Sequence, residues 1–217
     1  MSIRVRLIYE KRGGACFVPH ISLASLFTRS AMRVGISLSM TQGFSPHPKM
    51  SFGPELPAGV VALNEPVDIW IAEVPSNFLA LWNNAMPEGF RIVSALFPAE
   101  NSPRLGTLCQ AARYLVRAAG SDNSLSCGEL SDSASEYYGE AVLKSETDRD
   151  TDDSAQMEWL SLTLTDPAQN PIGGWVKAMI ASEKVSGWQS LNIVRADIGT
   201  WDKEERMIRS LKEYTEA

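Results

Sequence analysis

The alternation of strand-like and helix-like segments in the first hundred residues limits this chain to few folds. Residues Ile3–Glu10 alternate apolar and polar side chains, which is the period of a half-buried strand. Apolar residues then recur at helical spacing over His20–Val34. Gly35 follows, and glycine tolerates the left-handed conformation in which helices commonly end. The pattern predicts a strand, a helix and then a short strand at Ile36–Met40.

A similar order returns after a loop rich in glycine and proline. The next segments are the loop Thr41–Pro57 with room for a strand at Met50–Phe52, a strand at Val67–Val74, a helix at Asn77–Met86 capped by Ser76, and a strand at Phe90–Phe97. This order is typical of a ferredoxin-like unit, in which a four-stranded antiparallel sheet has two helices on one face.

The second half repeats the order less clearly. We predict strands at Leu108–Ala118, Glu140–Leu143, Met157–Thr165 and Trp188–Ile198. We predict helices within Ser124–Tyr138 and at Ile172–Ser182, and an amphipathic C-terminal helix at Trp201–Tyr214. The acidic segment Lys144–Gln156 is predicted to be a mobile loop. The predicted fold is α+β, with two tandem ferredoxin-like (βαββαβ) units, antiparallel sheets and a C-terminal helix. The predicted domains are residues 1–98 and 106–217.

Bulk properties exclude several classes of protein. A hydrophobic content of 44% supports a packed core, while no apolar run approaches the ~20 residues that span a bilayer. The N-terminus has no apolar signal-peptide core, so we expect a cytoplasmic protein without membrane contact. Three widely separated cysteines form neither a disulfide framework nor a zinc or iron–sulfur motif. We predict no metal and no cofactor.

Charge is distributed unevenly along the chain. The first fifty residues hold seven basic residues against one acidic residue, a net charge of +6, whereas the whole chain has −6, so residues 51–217 have −12. Both histidines, His20 and His47, lie in the basic stretch. Such a segment favours an anionic partner, and a phosphate backbone is the first candidate. The predicted nucleic-acid-binding residues are Arg4, Arg6, Arg29, Arg33, Phe44, His47 and Lys49.

The segment 42–54 is the densest motif. Two prolines stiffen the backbone on either side of His47, Lys49 adds a cation, and Phe44 offers either a core anchor or a stacking surface. A stiff loop of this kind is suited to binding a phosphate or a base. Packing or hydrogen bonding explains a histidine in a proline-rich loop equally well. His20 sits at the predicted helix start, where a neutral imidazole is favoured and a capping role competes with a functional one.

The N-terminal segments resemble a known family. The most specific part of the match is the run from Gly43 to Phe52. The other matching residues are Arg4-Val5-Arg6, Phe17-Val18-Pro19-His20, Leu23, Arg29, Arg33-Val34-Gly35 and Leu56-Pro57-Ala58-Gly59-Val60. These residues are similar to the radical-SAM-linked domain family, whose function is uncharacterized, over about residues 1–100. The resemblance implies an accessory protein working beside a radical-SAM partner, plausibly on RNA. The family commonly has an acidic residue two positions after the first histidine, where this chain has Ser22.

Three functions remain open from the sequence. The first is an RNA-binding or substrate-presenting accessory protein for a radical-SAM enzyme, with a role in RNA modification or processing. The second is a metal-independent endoribonuclease that uses His20 or His47 as general base and Lys49 to stabilise phosphorane charge. The third is a protein-binding module that docks on the radical-SAM partner. We rank the accessory role above an enzymatic one.

Overall fold

A computed structural model describes residues 2–120, 125–149 and 158–211. The chain divides into two compact units, which we describe separately. The first unit runs to Leu108 and includes Ser210 and Leu211, and the second unit is Cys109–Arg209. Both units combine antiparallel strands with a few helices. The α+β class predicted from the sequence is therefore confirmed.

The first unit contains a four-stranded antiparallel sheet. Its strand order is β4-β1-β3-β2. The elements of this unit are β1 (Ile3–Lys11), α1 (Leu23–Arg33), β2 (Met50–Phe52), β3 (Val61–Ile71), α2 (Phe78–Asn83), β4 (Phe90–Leu96) and the short α3 (Leu105–Leu108). A single 3₁₀ turn, His20–Ser22, precedes α1.

The core of the first unit lies between the two main helices and one face of the sheet. Alternate residues of β1, among them Val5 and Leu7, pack with Phe27 of α1 and Trp82 of α2. The indole nitrogen of Trp82 donates a hydrogen bond of 2.8 Å to the hydroxyl of buried Ser30, so this polar group is satisfied inside the core. The same alternation sends the remaining residues of β1 and β3 to the opposite face of the sheet.

The edge strand of this sheet is interrupted by a loop. Backbone hydrogen bonds join Ser39 to Trp70 and Ala72 to Ser37, while β2 pairs with the preceding residues of β3. Residues 37–39 and β2 thus lie consecutively along the same edge, and residues 40–49 leave it as an extruded loop. The predicted continuous strand Ile36–Met40 is wrong, because these residues form only isolated bridges before the chain turns outward. The short strand at Met50–Phe52 is present.

Two other predictions for the first unit need correction. Strand β3 begins at Val61, well before the predicted Val67, because Pro66 and the polar residues before it hide the strand pattern. Helix α2 is capped by Asn77 in a left-handed conformation (φ 60°) and not by Ser76. The end of α1 is as predicted, since Gly35 has a φ of 72°.

In the second unit the strands follow the order β9-β8-β5-β7-β6, and β5 pairs antiparallel with both β7 and β8. Helix α4 begins with a capping box, in which Ser126 and Glu129 exchange side-chain and backbone hydrogen bonds. The elements are β5 (Ala111–Ala118), α4 (Cys127–Tyr138), β6 (Val142–Arg149), β7 (Glu158–Thr165), α5 (Ile172–Ala181), β8 (Leu191–Asp202) and β9 (Met207–Ser210).

Two segments of the second unit differ from their predictions. Residues 144–149 belong to β6 and pair with β7, because polar side chains suit an edge strand as well as they suit a loop. The rest of the predicted acidic loop, 150–156, lies outside the described residues. The predicted C-terminal helix from Trp201 is wrong over 201–211, where β8 ends and turns into β9. Its remaining residues lie outside the described part. No helix among the described residues is long and apolar enough to cross a bilayer.

Candidate functional site

The sheet face opposite the helices of the first unit presents charged and aromatic side chains in two rows. Arg4 of β1 lies directly across from Trp70 of β3, and Lys49 lies beyond Trp70, where its carbonyl accepts the Trp70 amide. The next row contains Arg6, Asp68 and Ser51 in the same strand order. We call this surface the arginine face: Arg4, Arg6, Lys49, Ser51, Asp68 and Trp70.

Two cations flank the indole of Trp70. The Lys49 ammonium lies 4.3 Å from the ring centroid and the Arg4 guanidinium carbon lies 5.8 Å from it. Both distances fall within the range of a cation–π interaction. Among the described residues, Lys49 has no carboxylate partner. Its three N–H donors are therefore available to a ligand.

Asp68 holds both arginines in place. Its carboxylate accepts from Nε of Arg6 at 2.8 Å and from Nε of Arg4 at 2.9 Å, with further bonds from the Nη2 atoms of both residues. Arg6 and Asp68 are each only 1% exposed. The guanidinium groups also donate to the carbonyl oxygens of Ser102 and Pro103. Two positive charges thus share one negative charge, which leaves this part of the face net positive.

A cavity of about 750 Å³ opens on the arginine face within the first unit. This volume lies within the range typical of ligand sites. Phe97, which is 55% exposed, provides a second aromatic ring in the lining. The lining consists of Ser2, Ile3, Arg4, Lys49, Met50, Ser51, Asp68, Trp70, Phe97, Pro98, Glu100, Ser102 and Arg104. The cavity therefore combines three cations, two carboxylates and two aromatic rings.

The extruded loop 40–49 ends at Lys49, on the wall of this cavity. Backbone bonds between Thr41 and His47 and between Ser39 and Lys49, both 2.8 Å, close the base of the loop. The Nδ1 atom of His47 lies 3.2 Å from the Ser45 carbonyl and from the Thr41 hydroxyl. In the tautomer with the proton on Nδ1, this atom donates to the Ser45 carbonyl and Nε2 is an acceptor. Phe44 is fully exposed, so it does not anchor the loop in the core.

The remaining predicted site residues lie elsewhere on the first unit. The imidazole of His20 packs edge-on against Phe52, with ring centroids 5.7 Å apart, and Phe52 in turn packs against the helix-side core. Arg29 and Arg33 are exposed on α1, on the helix side of the sheet. The structure thus brings Arg4, Arg6 and Lys49 together, and does not bring His20, Arg29 or Arg33 to the same face.

Sequence reasoning missed Asp68, Trp70, Phe97, Glu100 and Arg104. The alternation over Val67–Val74 did contain a usable signal, because it places Asp68 and Trp70 on one face and Val67 and Ile69 on the other. Nothing in the local pattern of residues 97–104 indicates that this segment borders the same cavity.

The described residues contain no cluster of three His, Cys, Asp or Glu side chains suited to hold a metal ion. Burial raises the pKa of the Cys16 thiol, and the nearby charge of Lys11 only partly opposes this effect. Cys16 is consequently a neutral thiol at pH 7 and not an activated nucleophile.

Comparison with known proteins identifies the family. The family of uncharacterized proteins conserved in bacteria, DUF2344, matches residues 4–166. The chain belongs to this family. The match covers most of the first unit and continues into the second, and the family's description names no radical-SAM partner. No curated protein matches the chain. The crystal structure of an unknown protein from Galdieria sulphuraria is similar at 10% identity, covering 89% of this chain and 96% of that chain, with a TM-score of 0.27.

Proposed function

We propose that this member of DUF2344 binds single-stranded RNA on the arginine face of its first unit. The observation that supports the proposal is the position of Trp70, which lies on a sheet surface between the unpaired ammonium of Lys49 and the guanidinium of Arg4. Sheet surfaces that bind single-stranded RNA stack bases on aromatic side chains and neutralise phosphates with nearby cations.

The contacts on this face divide into structural and ligand-binding groups. Arg6 is buried and fully engaged with Asp68, so we leave it out of the proposed RNA contacts and assign it the task of positioning Asp68. Arg4 and Lys49 face the cavity and supply positive charge to phosphates. Phe97, which is 55% exposed, supplies one ring on which a base stacks, and Trp70 supplies a second when the Lys49 ammonium turns from its face to a phosphate.

The extruded loop extends the proposed RNA surface. Phe44 is a fully exposed ring, and the free Nε2 of His47 accepts a hydrogen bond from a ribose hydroxyl or a base. Because the loop ends at Lys49, an RNA strand that leaves the cavity along the sheet edge meets these two side chains next. Arg29 and Arg33 of α1 are not part of this path.

An accessory role beside a radical-SAM enzyme completes the proposal. It rests on the resemblance of the run from Gly43 to Phe52 to the radical-SAM-linked domain family. In this role the chain presents RNA to the catalytic partner.

Strand order supports a finer description of the fold. Each unit follows the order β-α-β-β-α-β, and in each unit the fourth strand of this order lies beside the first, which lies beside the third and then the second. We propose on this basis that both units are ferredoxin-like.

The RNA proposal is tested by comparing two tryptophan variants. Trp70→Leu removes the stacking ring on the arginine face, and base stacking contributes about 1–3 kcal/mol. We expect its affinity for a single-stranded RNA decamer to fall about 5- to 150-fold. Fluorescence anisotropy measures the dissociation constant, and circular dichroism verifies that the variant folds.

Trp159→Leu is the matched control. Trp159 lies in the second unit beneath Arg117, whose guanidinium carbon is 4.6 Å from the ring centroid, so it is also a half-buried tryptophan paired with an arginine. This substitution should leave RNA affinity unchanged. Equal losses in both variants, or no RNA binding by the native chain, would reject the proposal.

Fully exposed Phe44 favours one second candidate, a protein-binding module that inserts this ring into a partner. Co-purification of a partner that survives RNase and is lost in Phe44→Ala would support it. For the endoribonuclease we find no favouring observation among the described residues, because neither imidazole lines the cavity that contains Lys49.

A further inference from the structure

The cavity on the arginine face contains one carboxylate that is buried and already paired. Asp68 accepts four hydrogen bonds, two from Arg4 and two from Arg6, and its side chain is 1% exposed. Three of these bonds end on Oδ2 and one on Oδ1. Because Asp68 is covered by its two arginine partners, it is a poor acceptor for an incoming ligand.

Glu100 is the second carboxylate of the lining, and its environment is the opposite of that of buried Asp68. It is exposed on the cavity wall and makes no hydrogen bond or ion pair with another described residue. The charged donors of the lining are the three N–H groups of Lys49, the guanidinium of Arg104, and the single N–H of Arg4 that remains after four of its five donors are used. The cavity thus offers donors for a phosphate or a ring nitrogen and one strong acceptor.

We propose that this cavity selects nucleotides whose base has an exocyclic amino group, and disfavours uracil, through Glu100. The inference rests on the proposed RNA-binding function and names the ligand class of the same site. Trp70 and Glu100 line the same cavity, and in this proposal a base bound beside Trp70 turns its edge to Glu100. Cytosine, adenine and guanine each present an amino group that donates to a carboxylate.

Uracil cannot make this contact. Its exocyclic groups are carbonyl oxygens, which only accept, and its one edge donor, the ring N3–H, lies between them, so a carboxylate that accepts from N3–H also faces a carbonyl oxygen. Hydrogen bonds to a charged group are stronger than those between neutral groups. A base that cannot form such a bond therefore binds more weakly than one that can. Lys49 and Arg4 contact phosphate regardless of sequence and add no selectivity.

The test compares cytidine with uridine in two ligand formats. Dissociation constants are measured for single-stranded octamers of cytidine and of uridine by anisotropy, and for CMP and UMP by calorimetry, all at one salt concentration. We expect the native chain to bind the cytidine octamer about tenfold more tightly than the uridine octamer. The readout is the ratio, because removal of a negative charge raises affinity for every anionic ligand.

Glu100→Met keeps the side-chain length and removes the acceptor, so we expect the ratio to fall to about one. Glu88→Met is the control, since Glu88 is an exposed glutamate of the same unit that does not line the cavity. It should keep the native ratio.

Four outcomes are distinguishable. A native ratio that collapses only in Glu100→Met supports the inference. Binding of both octamers with equal affinity overturns the inference and leaves RNA binding intact. Preference for CMP over UMP without binding of either octamer overturns the RNA function and supports the selectivity of the cavity. No binding in either format overturns both.

Discussion

At the scale of single residues, Asp68 organises the arginine face. It lies on β3, more than sixty residues from the two arginines of β1 whose charge it partly neutralises. A buried carboxylate shared by two guanidiniums costs desolvation free energy, and good geometry only partly recovers it. Such a cluster is poor evidence for stability, but it fixes where Arg4 points. The cluster thereby positions one cation beside Trp70.

Removal of the Asp68 charge is expected to destabilise the first unit. In Asp68→Asn the buried guanidinium of Arg6 and the partly buried guanidinium of Arg4 lose their shared counter-charge, and an uncompensated buried charge typically costs about 3–5 kcal/mol. Hydrogen exchange of β1 peptides in the full chain measures the loss. Glu73→Gln, an exposed carboxylate of the same unit, should change the free energy of opening by less than about 0.5 kcal/mol. Unchanged protection of β1 in Asp68→Asn would contradict the assigned role.

At this scale the sequence identified the basic residues Arg4 and Arg6 but did not identify the residues that contact them. The period-2 pattern of Ile3–Glu10 correctly placed Arg4 and Arg6 on one side of a strand, opposite Val5 and Leu7. It predicted a half-buried strand, whereas Arg6 and Ile8 are also buried. The residues that cover them come from distant parts of the chain, and one sequence contains no record of such contacts.

At the scale of elements, the extruded loop shows why strand predictions failed at this sheet edge. Residues 37–39 and β2 are each too short for a periodic signal, and a ten-residue excursion separates them. Glycine and proline predicted the loop Thr41–Pro57, and residues 41–49 of it form the extruded loop before β2. Residues 37–39 and β2 form one sheet edge only because both of them pair with β3.

The turn between β8 and β9 gives an element-scale test with a defined pH direction. Hydrogen bonds from the amide of Glu205 and from the side chain of Arg209 hold the pKa of Asp202 below its ordinary value of 3.8. The ionised carboxylate therefore stabilises the turn fully above pH 3.8, and this stabilisation is lost as the pH falls through the lower pKa of the folded state.

Arg209→Gln should raise the pKa of Asp202 toward 3.8 without restoring it completely, because the amide bonds from Glu204 and Glu205 remain. Carboxyl ¹³C NMR titration of the full chain measures this value. Lys203→Gln removes an exposed cation of the same turn that makes no bond to Asp202 and should produce a smaller shift. A pKa of Asp202 that Arg209→Gln leaves unchanged would refute the assignment.

At the scale of the whole molecule, the fold class followed from the order of elements, and most of the long helices and strands lie close to their predicted positions. The predicted C-terminal helix failed because a charged amphipathic pattern does not distinguish a short helix from a polar hairpin. The concentration of basic residues in the first fifty residues predicted one shared basic surface. In the structure these residues lie on two different sides of the first sheet. Arg29 and Arg33 are on the helix side, while Arg4 and Lys49 are on the arginine face.

Ultraviolet crosslinking of the full chain to a mixed-sequence, single-stranded RNA, followed by mass spectrometry of the peptides, locates the interface directly. If the arginine face binds RNA, crosslinks fall on peptides that contain Lys49, Trp70 or Phe97, and they decrease as salt increases. Lys49→Gln should reduce the slope of log affinity against log salt by about 0.7. Crosslinks confined to α1 around Arg29 and Arg33, or to the second unit, would contradict the account.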